Sequence, residues 1–344
     1  MLREYIDKTE LARLKEMLAE SRNVVIVTHV SSDGDAIGSS LGMYEYLKLL
    51  GKDVTVIVPN SYPDFLHWMS NSEKVIQYDK HQERAKKIVD AADLICVLDL
   101  NESKRLENLA EPIVAAKAKK VLIDHHVGPE PFCDLTISYP GASSTCELIF
   151  RILDEFDAMG SYTKAGAEDL FAGMCTDTGI FCFNSNDPDV FTIIAELMKK
   201  GIDKDLIIRK IYNNYKASRF KMMGYVLYEK LVVMPGLNAA YYTLTKEEMK
   251  RFDFIRGDAE GIVNMPLEIK GMKLSISLRE DTEKPRILVS LRSVDDFSAR
   301  QMAEEYFNGG GHLHASGGQL YCTMDEAIKI TEKAIRAHAK ELMA

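Results

Sequence analysis

The hydrophobic pattern of the first part of the chain predicts a parallel β-sheet. Four short runs are apolar almost throughout: residues 23–28 (NVVIVT), 53–58 (DVTVIV), 93–100 (DLICVLDL) and 120–124 (KVLID). Such runs are typical of strands that helices cover on both faces. Helical periodicity fills the intervals, most clearly from just after Asp35 to Gly51, which suits a helix C-terminus. Another helix is predicted to begin at Ser144, which has capping-box spacing to Glu147, and to end near Gly160. This alternation predicts a doubly wound α/β domain.

The pattern changes in the second half of the chain. Helical periodicity dominates residues 165–230, and the dipeptide Pro235–Gly236 then interrupts it. Three strand-like runs follow (LNAAYYTLT, MKLSISLRE and RILVSLRS), and a glycine cluster at 308–318 precedes a last helical stretch. We therefore predict an α/β N-terminal domain with a doubly wound, mostly parallel sheet over residues 1–230. A linker at 231–238 then leads to a smaller α+β C-terminal domain over residues 239–344.

Composition and charge narrow the class of protein. The 344 residues are 46% hydrophobic, which fits about two globular domains. A net charge of −9 argues against a protein that coats long duplex DNA, because that binding rests on clustered Lys and Arg. We find neither a signal peptide nor an apolar run of about 20 residues, so we expect a cytoplasmic protein without a membrane partner. The six cysteines form no CxxC pair and are predicted to be free thiols. A homodimer is compatible with these features.

Titratable side chains collect where the predicted strands end. They are His29, Asp33 and Asp35 after the first strand, Asp99 after the third, Asp124, His125 and His126 after the fourth, and Asp177 after a later helix. Open parallel sheets bind ligands at this edge. Carboxylates packed so closely repel one another unless cations neutralise them. Asp and His ligands suit Mn²⁺, Mg²⁺ or Co²⁺, and two ions sharing a carboxylate commonly hydrolyse phosphate esters.

Each motif alone also has a purely structural explanation. DGD is common in turns, Asp99 could cap a helix, and TDTG could be an ordinary cap. The conjunction favours a metal centre, because the fold is expected to bring all of these segments together.

Several segments resemble the successive motifs of the DHH phosphoesterase superfamily: THVSSDGDAIGS, DLN, IDHH, GASST and TDTGIF. GGGHLHASGG resembles the signature of the associated C-terminal domain of the RecJ-like branch. The resemblance extends from about residue 20 to 340. The layout most resembles the NrnA-like subgroup, nano-RNases that also remove the 3′-phosphate of adenosine 3′,5′-bisphosphate (pAp). Two departures are Ser32, where proline is usual, and Ser316, where alanine is usual.

The resemblance implies a role for each titratable residue. One metal ion is expected on His29, Asp33 and Asp99, and a second on Asp35, Asp99, His125 and Asp177, with Asp99 bridging. His126 is expected beside the scissile phosphate, with Asp124 orienting the histidines. Mn²⁺ is the expected ion, and Mg²⁺ or Co²⁺ are alternatives.

Phosphate-binding residues are predicted mainly in the C-terminal domain. Consecutive glycines let backbone N–H groups approach a phosphate, and Arg or His adds charge. The candidates are Gly310, Gly311, His312, Arg292 and Arg105. Ser143 and Ser144 at a predicted helix start are further candidates, although helix capping explains these two serines equally well. The expected substrates are short oligoribonucleotides and pAp. A hydrolase of linear or cyclic dinucleotides, a RecJ-like exonuclease, an exopolyphosphatase and a non-catalytic nucleotide sensor remain alternatives.

Overall fold

The computed structural model describes residues 2–255 and 257–344, and the chain divides into two compact units, Met1–Asn214 and Tyr215–Ala344. The predicted linker at 231–238 lies inside the second unit, where it contains strand Val232–Met234. Residues 215–230, directly before it, belong to the second unit as well. Their side chains Met222 and Val226 share a hydrophobic core with Tyr242.

The first unit contains a six-stranded sheet within its described residues, and every strand pair in it is parallel. Its strands are β1 (Asn23–Val27), β2 (Asp53–Val58), β3 (Ile76–Gln77), β4 (Leu94–Leu98), β5 (Lys119–Asp124) and β6 (Leu135–Ser138). Its helices are α1 (Lys8–Glu20), α2 (Gly34–Leu49), α3 (Gln82–Asp90), α4 (Ala110–Ala115), α5 (Thr145–Glu155), α6 (Lys164–Asp177), α7 (Pro188–Lys199) and α8 (Lys204–Tyr212). The predicted mostly parallel α/β fold is confirmed.

Both faces of this sheet are buried, which explains the continuous apolar runs. Along β1, Val24 and Ile26 enter one hydrophobic core, whereas Val25 and Val27 enter the core on the opposite face. Alternate residues of a strand point to opposite faces, so a strand covered on both sides needs apolar residues at every position.

The strand order places a binding crevice between β1 and β4. The order is β3-β2-β1-β4-β5-β6, so the sheet grows in one direction from β1 and in the other from β4. At such a switch point the loops after the two strands diverge and leave room for a ligand. His29 follows β1, and Asp99 follows β4.

Helices α2 and α6 pack closely through glycines. Gly34, Gly38 and Gly42 recur every four residues and therefore lie on one face of α2. A Cβ atom on Gly38 would stand 2.7 Å from the backbone oxygen of Asp169 on α6. This close approach brings the first turn of α2, with Asp35, to the end of α6, with Asp177.

We expect Gly38→Ala to lower the free energy of unfolding of the first unit by about 1–3 kcal/mol, because the added methyl group must displace helix backbone. Urea denaturation measures the change. Gly160→Ala is the control in the same unit, since a Cβ there has no neighbour within 4 Å. Equal effects of the two substitutions would contradict the packing argument.

The second unit contains a mixed six-stranded sheet of the order β11-β12-β10-β9-β8-β7 in its described residues. Its strands are β7 (Val232–Met234), β8 (Ala239–Leu244), β9 (Leu274–Glu280), β10 (Ile287–Ser293), β11 (Gly310–Gly311) and β12 (Ala315–Leu320). Its helices are α9 (Ala217–Tyr225), α10 (Lys246–Arg251), α11 (Ala299–Tyr306), α12 (Met324–Ala337) and α13 (Ala339–Met343). Among the described residues, no helix is both long enough and apolar enough to cross a bilayer.

Candidate metal centre

The loop after β1 presents one carboxylate and one imidazole to the crevice. Asp33 caps α2, because its Oδ1 accepts hydrogen bonds from the N–H groups of Asp35 (3.1 Å) and Ala36 (3.0 Å). Its other oxygen, Oδ2, lies 3.7 Å from Nε2 of His29. The His29 ring donates from Nδ1 to the carbonyl of Val30 (2.8 Å), since a carbonyl can only accept. In the neutral ring, Nε2 therefore offers its lone pair to the crevice.

Asp99 lies between two groups of potential ligands. Its backbone is left-handed (φ 60°), and its N–H donates to the carbonyl of Ile123 at 3.1 Å. Its Oδ2 lies 3.4 Å from Nε2 of His29, and its Oδ1 lies 3.6 Å from Nε2 of His125. Asp99 is thus the carboxylate that the two groups share.

The second group consists of Asp35, His125 and Asp177. Nε2 of His125 lies 3.4 Å from Oδ2 of Asp177 and 3.8 Å from Oδ2 of Asp35. The N-terminus of α5 holds the Asp35 carboxylate, because the N–H groups of Thr145 (2.7 Å) and Cys146 (2.9 Å) donate to its two oxygens. The partial positive charge of a helix N-terminus favours a carboxylate at this point.

His126 stands beside this centre in a fixed orientation. Its Nδ1 lies 2.7 Å from Oδ1 of Asp124, and its backbone N–H donates to Oδ2 at 3.0 Å. Asp124 is fully buried, whereas His126 is half-buried. These two contacts fix the position of the His126 ring against Asp124, and the orienting role of Asp124 stays a prediction.

The protonation of the two groups reflects crowded negative charge. Burial disfavours charged histidine, but the adjacent carboxylates outweigh it and raise the pKa of His29 to about 10 and that of His125 to about 9. Burial, together with neighbouring carboxylates, raises the pKa of Asp177 to about 7 and that of Asp35 well above its usual value. Burial of Asp99 raises its pKa, but the three neighbouring histidines outweigh that effect and hold the pKa of Asp99 far below its usual range. The crowded carboxylates therefore favour the uptake of positive charge at this centre.

The spacing of the side-chain nitrogen and oxygen atoms suits the coordination of divalent cations better than it suits hydrogen bonding. The N···O separations around His29 and His125 are 3.4–3.8 Å, which is too long for hydrogen bonds. Two ligand atoms each about 2.1 Å from one ion lie roughly 3–3.5 Å apart. Nε2 of His29 is also buried without a hydrogen-bond partner. The residues that fit one ion are His29, Asp33 and Asp99, and those that fit a second are Asp35, His125 and Asp177.

The residues predicted to bind phosphate near α5 are buried in the structure. Ser144 caps α5, since its hydroxyl accepts from the N–H of Glu147 at 3.0 Å. The Glu147 carboxylate accepts from the N–H of Ser143 (2.7 Å), one residue earlier than the capping box predicts.

Arg105 is half-buried, and its carbonyl accepts from the N–H of Val30 at 2.8 Å.

The predicted glycine-rich cluster is brought together within the second unit. Gly310 pairs with Gly317, Gly311 pairs with Ser316, and Arg292 pairs with Ala315 on the other edge of β12. The N–H of His312 donates to the carbonyl of Ala315 at 2.9 Å. Close packing also demands glycine nearby, because a Cβ on Gly309 would lie 1.9 Å from the Gly317 oxygen.

Thr145 was not among the predicted site residues, although it ends the GASST segment and contacts carboxylates of both candidate ligand groups. In addition to its N–H bond to Asp35, its hydroxyl donates to Oδ1 of Asp99 at 3.0 Å. The signals available were its position directly after the predicted cap, Ser144, and its place at the end of the GASST segment.

Comparisons with known proteins agree with this arrangement. The DHH family N-terminal domain matches residues 23–174, and the DHHA1 domain matches residues 236–337. The "bifunctional oligoribonuclease and PAP phosphatase NrnA" of Thermus thermophilus is 29% identical over 314 residues, which cover 91% of this chain and 89% of that protein. The crystal structure of an exopolyphosphatase-related protein from Bacteroides fragilis is 48% identical, has a TM-score of 0.95 and covers 100% of both chains. RecJ of Thermus thermophilus in complex with Mn²⁺ shares the fold, with a TM-score of 0.53 and 15% identity over 97% of this chain and 54% of RecJ.

Proposed function

Because this chain belongs to the DHH family of phosphoesterases, we propose that it hydrolyses short oligoribonucleotides to mononucleotides and removes the 3′-phosphate of pAp. The observation that carries the proposal is the position of Asp99 between two groups of Asp and His ligands. The relative named as an oligoribonuclease and PAP phosphatase, which this chain matches over most of its length, supports the choice of substrates.

In the proposed mechanism, one divalent ion would be held by His29, Asp33 and Asp99. A second would be held by Asp35, His125 and Asp177, with Asp99 available to both. We expect Mn²⁺. Such ions supply a Lewis acid for the phosphoryl oxygens and lower the pKa of bound water.

The remaining steps of the proposal belong to the chain's own residues. His126 contacts the scissile phosphate, and Asp124 keeps its ring in place. In the second unit, the glycine cluster with His312 and Arg292 binds a substrate phosphate through N–H groups and positive charge.

A substrate panel tests the proposed function. Purified protein with Mn²⁺ is incubated with pAp, RNAs of two to five nucleotides, cyclic dinucleotides, long single-stranded DNA and polyphosphate, and the products are identified. We expect phosphate from pAp and mononucleotides from the short RNAs. If neither substrate is hydrolysed, the proposal is wrong, and turnover of polyphosphate alone would favour an exopolyphosphatase.

We expect Thr145→Val to weaken the binding of Mn²⁺, so that a higher Mn²⁺ concentration is needed for the half-maximal rate, without unfolding the protein. The substitution keeps the shape of the side chain and the N–H bond to Asp35 but removes the hydroxyl that orients Asp99. Loss of such a supporting hydrogen bond typically costs about 10- to 100-fold in metal affinity or activity. The measurement is the Mn²⁺ concentration for half-maximal rate.

Thr331→Val is the matched control, because the Thr331 hydroxyl is buried in the second unit without a hydrogen-bond partner. It should leave the Mn²⁺ dependence unchanged. A Thr145→Val protein with the wild-type Mn²⁺ dependence would show that the hydroxyl does not position Asp99.

A further inference from the structure

The segment directly after Asp177 has an unusual backbone. Gly179, Ile180 and Phe181 are consecutive left-handed residues, with φ values of 55°, 57° and 61°. Left-handed geometry is unfavourable for L-residues, and it is a genuine outlier for a β-branched side chain such as that of Ile180. Strain of this kind persists where the surrounding contacts enforce it, commonly beside a functional site.

Thr178 enforces this turn. Its hydroxyl donates to the carbonyl of Met174 (2.6 Å) and accepts from the N–H of Phe181 (3.0 Å). Its carbonyl accepts from the N–H groups of Cys182 and Phe183, both at 2.9 Å. The turn is therefore attached to the last turn of α6, the helix that ends at Asp177.

The turn sends two aromatic rings to different environments. Phe181 packs between Phe171 and Phe191, with ring centroids 5.8 Å and 6.2 Å away. The Phe183 side chain instead remains 48% exposed. Its ring lies on the backbone of Gly179, where a Cβ would stand 2.8 Å from Cδ2 of Phe183.

The Phe183 ring rests on the segment that directly follows the candidate ligand Asp177. Gly179, which supports it, is two residues from Asp177, so their Cα atoms are at most about 7 Å apart. The next residue, Asn184, donates from its side-chain amide to the carbonyl of Ala142 (3.3 Å), and Nδ1 of His125 lies 3.3 Å from the same carbonyl. An exposed aromatic ring is thus carried by the turn that joins Asp177 to the contact of Asn184 near His125.

We propose that Phe183 stacks against the base of the nucleotide whose phosphate is hydrolysed. The inference rests on the proposed function and adds a source of specificity to it. Aromatic side chains stack on any nucleobase, since every base presents a π-face. A base lies within one nucleotide of its own phosphate, which matches the short path from Phe183 to Asp177. This contact favours nucleotides over phosphate compounds without a base, and it does so without selecting one base.

The test compares pAp with its abasic counterpart, in which the base is absent and both phosphates remain. In Phe183→Leu the side chain stays apolar but loses its π-face. Stacking is worth about 1–3 kcal/mol per base, so we expect KM for pAp to rise roughly 5- to 150-fold. KM for the abasic compound should not change. Phe183→Tyr should retain the wild-type KM for pAp.

Phe191→Leu is the control, because Phe191 is similarly exposed (54%) but its ring contacts Phe181. Thermal unfolding of each variant checks the fold. The stacking role would be overturned if KM for pAp is unchanged in Phe183→Leu, or if KM for the abasic compound rises as much as KM for pAp. In either case, turnover by the wild type would still uphold the proposed function. Absence of wild-type turnover on pAp and short RNA would overturn both.

Discussion

Asp99→Asn is expected to lower kcat/KM for pAp by roughly 10³-fold or more. The Asn side chain has nearly the same shape, but it has no negative charge to share between the two ligand groups. Oxygens of Asp99 lie 3.4 Å from Nε2 of His29 and 3.6 Å from Nε2 of His125, so the substitution affects both groups at once. Steady-state phosphate release at saturating Mn²⁺ measures the loss.

Asp53→Asn is the matched control for this prediction. The Asp53 side chain begins β2 and is 66% exposed, far from the carboxyl ends of the strands. The control should keep the wild-type rate. A rate for Asp99→Asn within tenfold of the wild type would mean that Asp99 does not bridge two ions.

The second large effect that we expect is an increase in the thermal stability of the first unit when divalent ions bind. Mn²⁺ at about 1,000 times its dissociation constant stabilises a single site by roughly 4 kcal/mol. For a unit of 214 residues this corresponds to a rise in Tm of about 8–16 °C. The physical cause is that cations replace the protons that the buried carboxylates and histidines otherwise take up. Differential scanning calorimetry after EDTA treatment and Mn²⁺ addition measures the shift.

Asp99→Asn should show much less of this stabilisation than Asp53→Asn. The comparison separates ions bound at the candidate centre from ions bound to exposed carboxylates elsewhere on an acidic protein. Equal Tm shifts in the two variants would place the stabilising ions outside the centre.

Much of the first unit could be predicted because its strands are buried on both faces. The continuous apolar runs correspond to β1, β2, β4 and β5. The edge strands β3 and β6 were missed, since Ile76–Gln77 and Leu135–Ser138 are too short to produce such a run.

The convergence of the candidate metal ligands at one edge of the sheet was predictable for a related reason. Parallel strands end at one edge of a sheet, so charged residues that follow several strands must converge there. The support from α5 was not predictable, because backbone N–H groups carry no residue signature and Thr145 has no distinctive spacing. The different environments of Phe181 and Phe183 depend on a left-handed turn that ordinary residues rarely adopt.

The most direct test of the proposed two-metal hydrolysis is a titration of metal-free protein with Mn²⁺ while phosphate release from pAp is recorded. At protein concentrations well above the dissociation constants, we predict no turnover without metal and a rate that reaches its plateau near two equivalents per chain. Metal-free protein that hydrolyses pAp at the full rate would contradict the account, as would a plateau at a single equivalent.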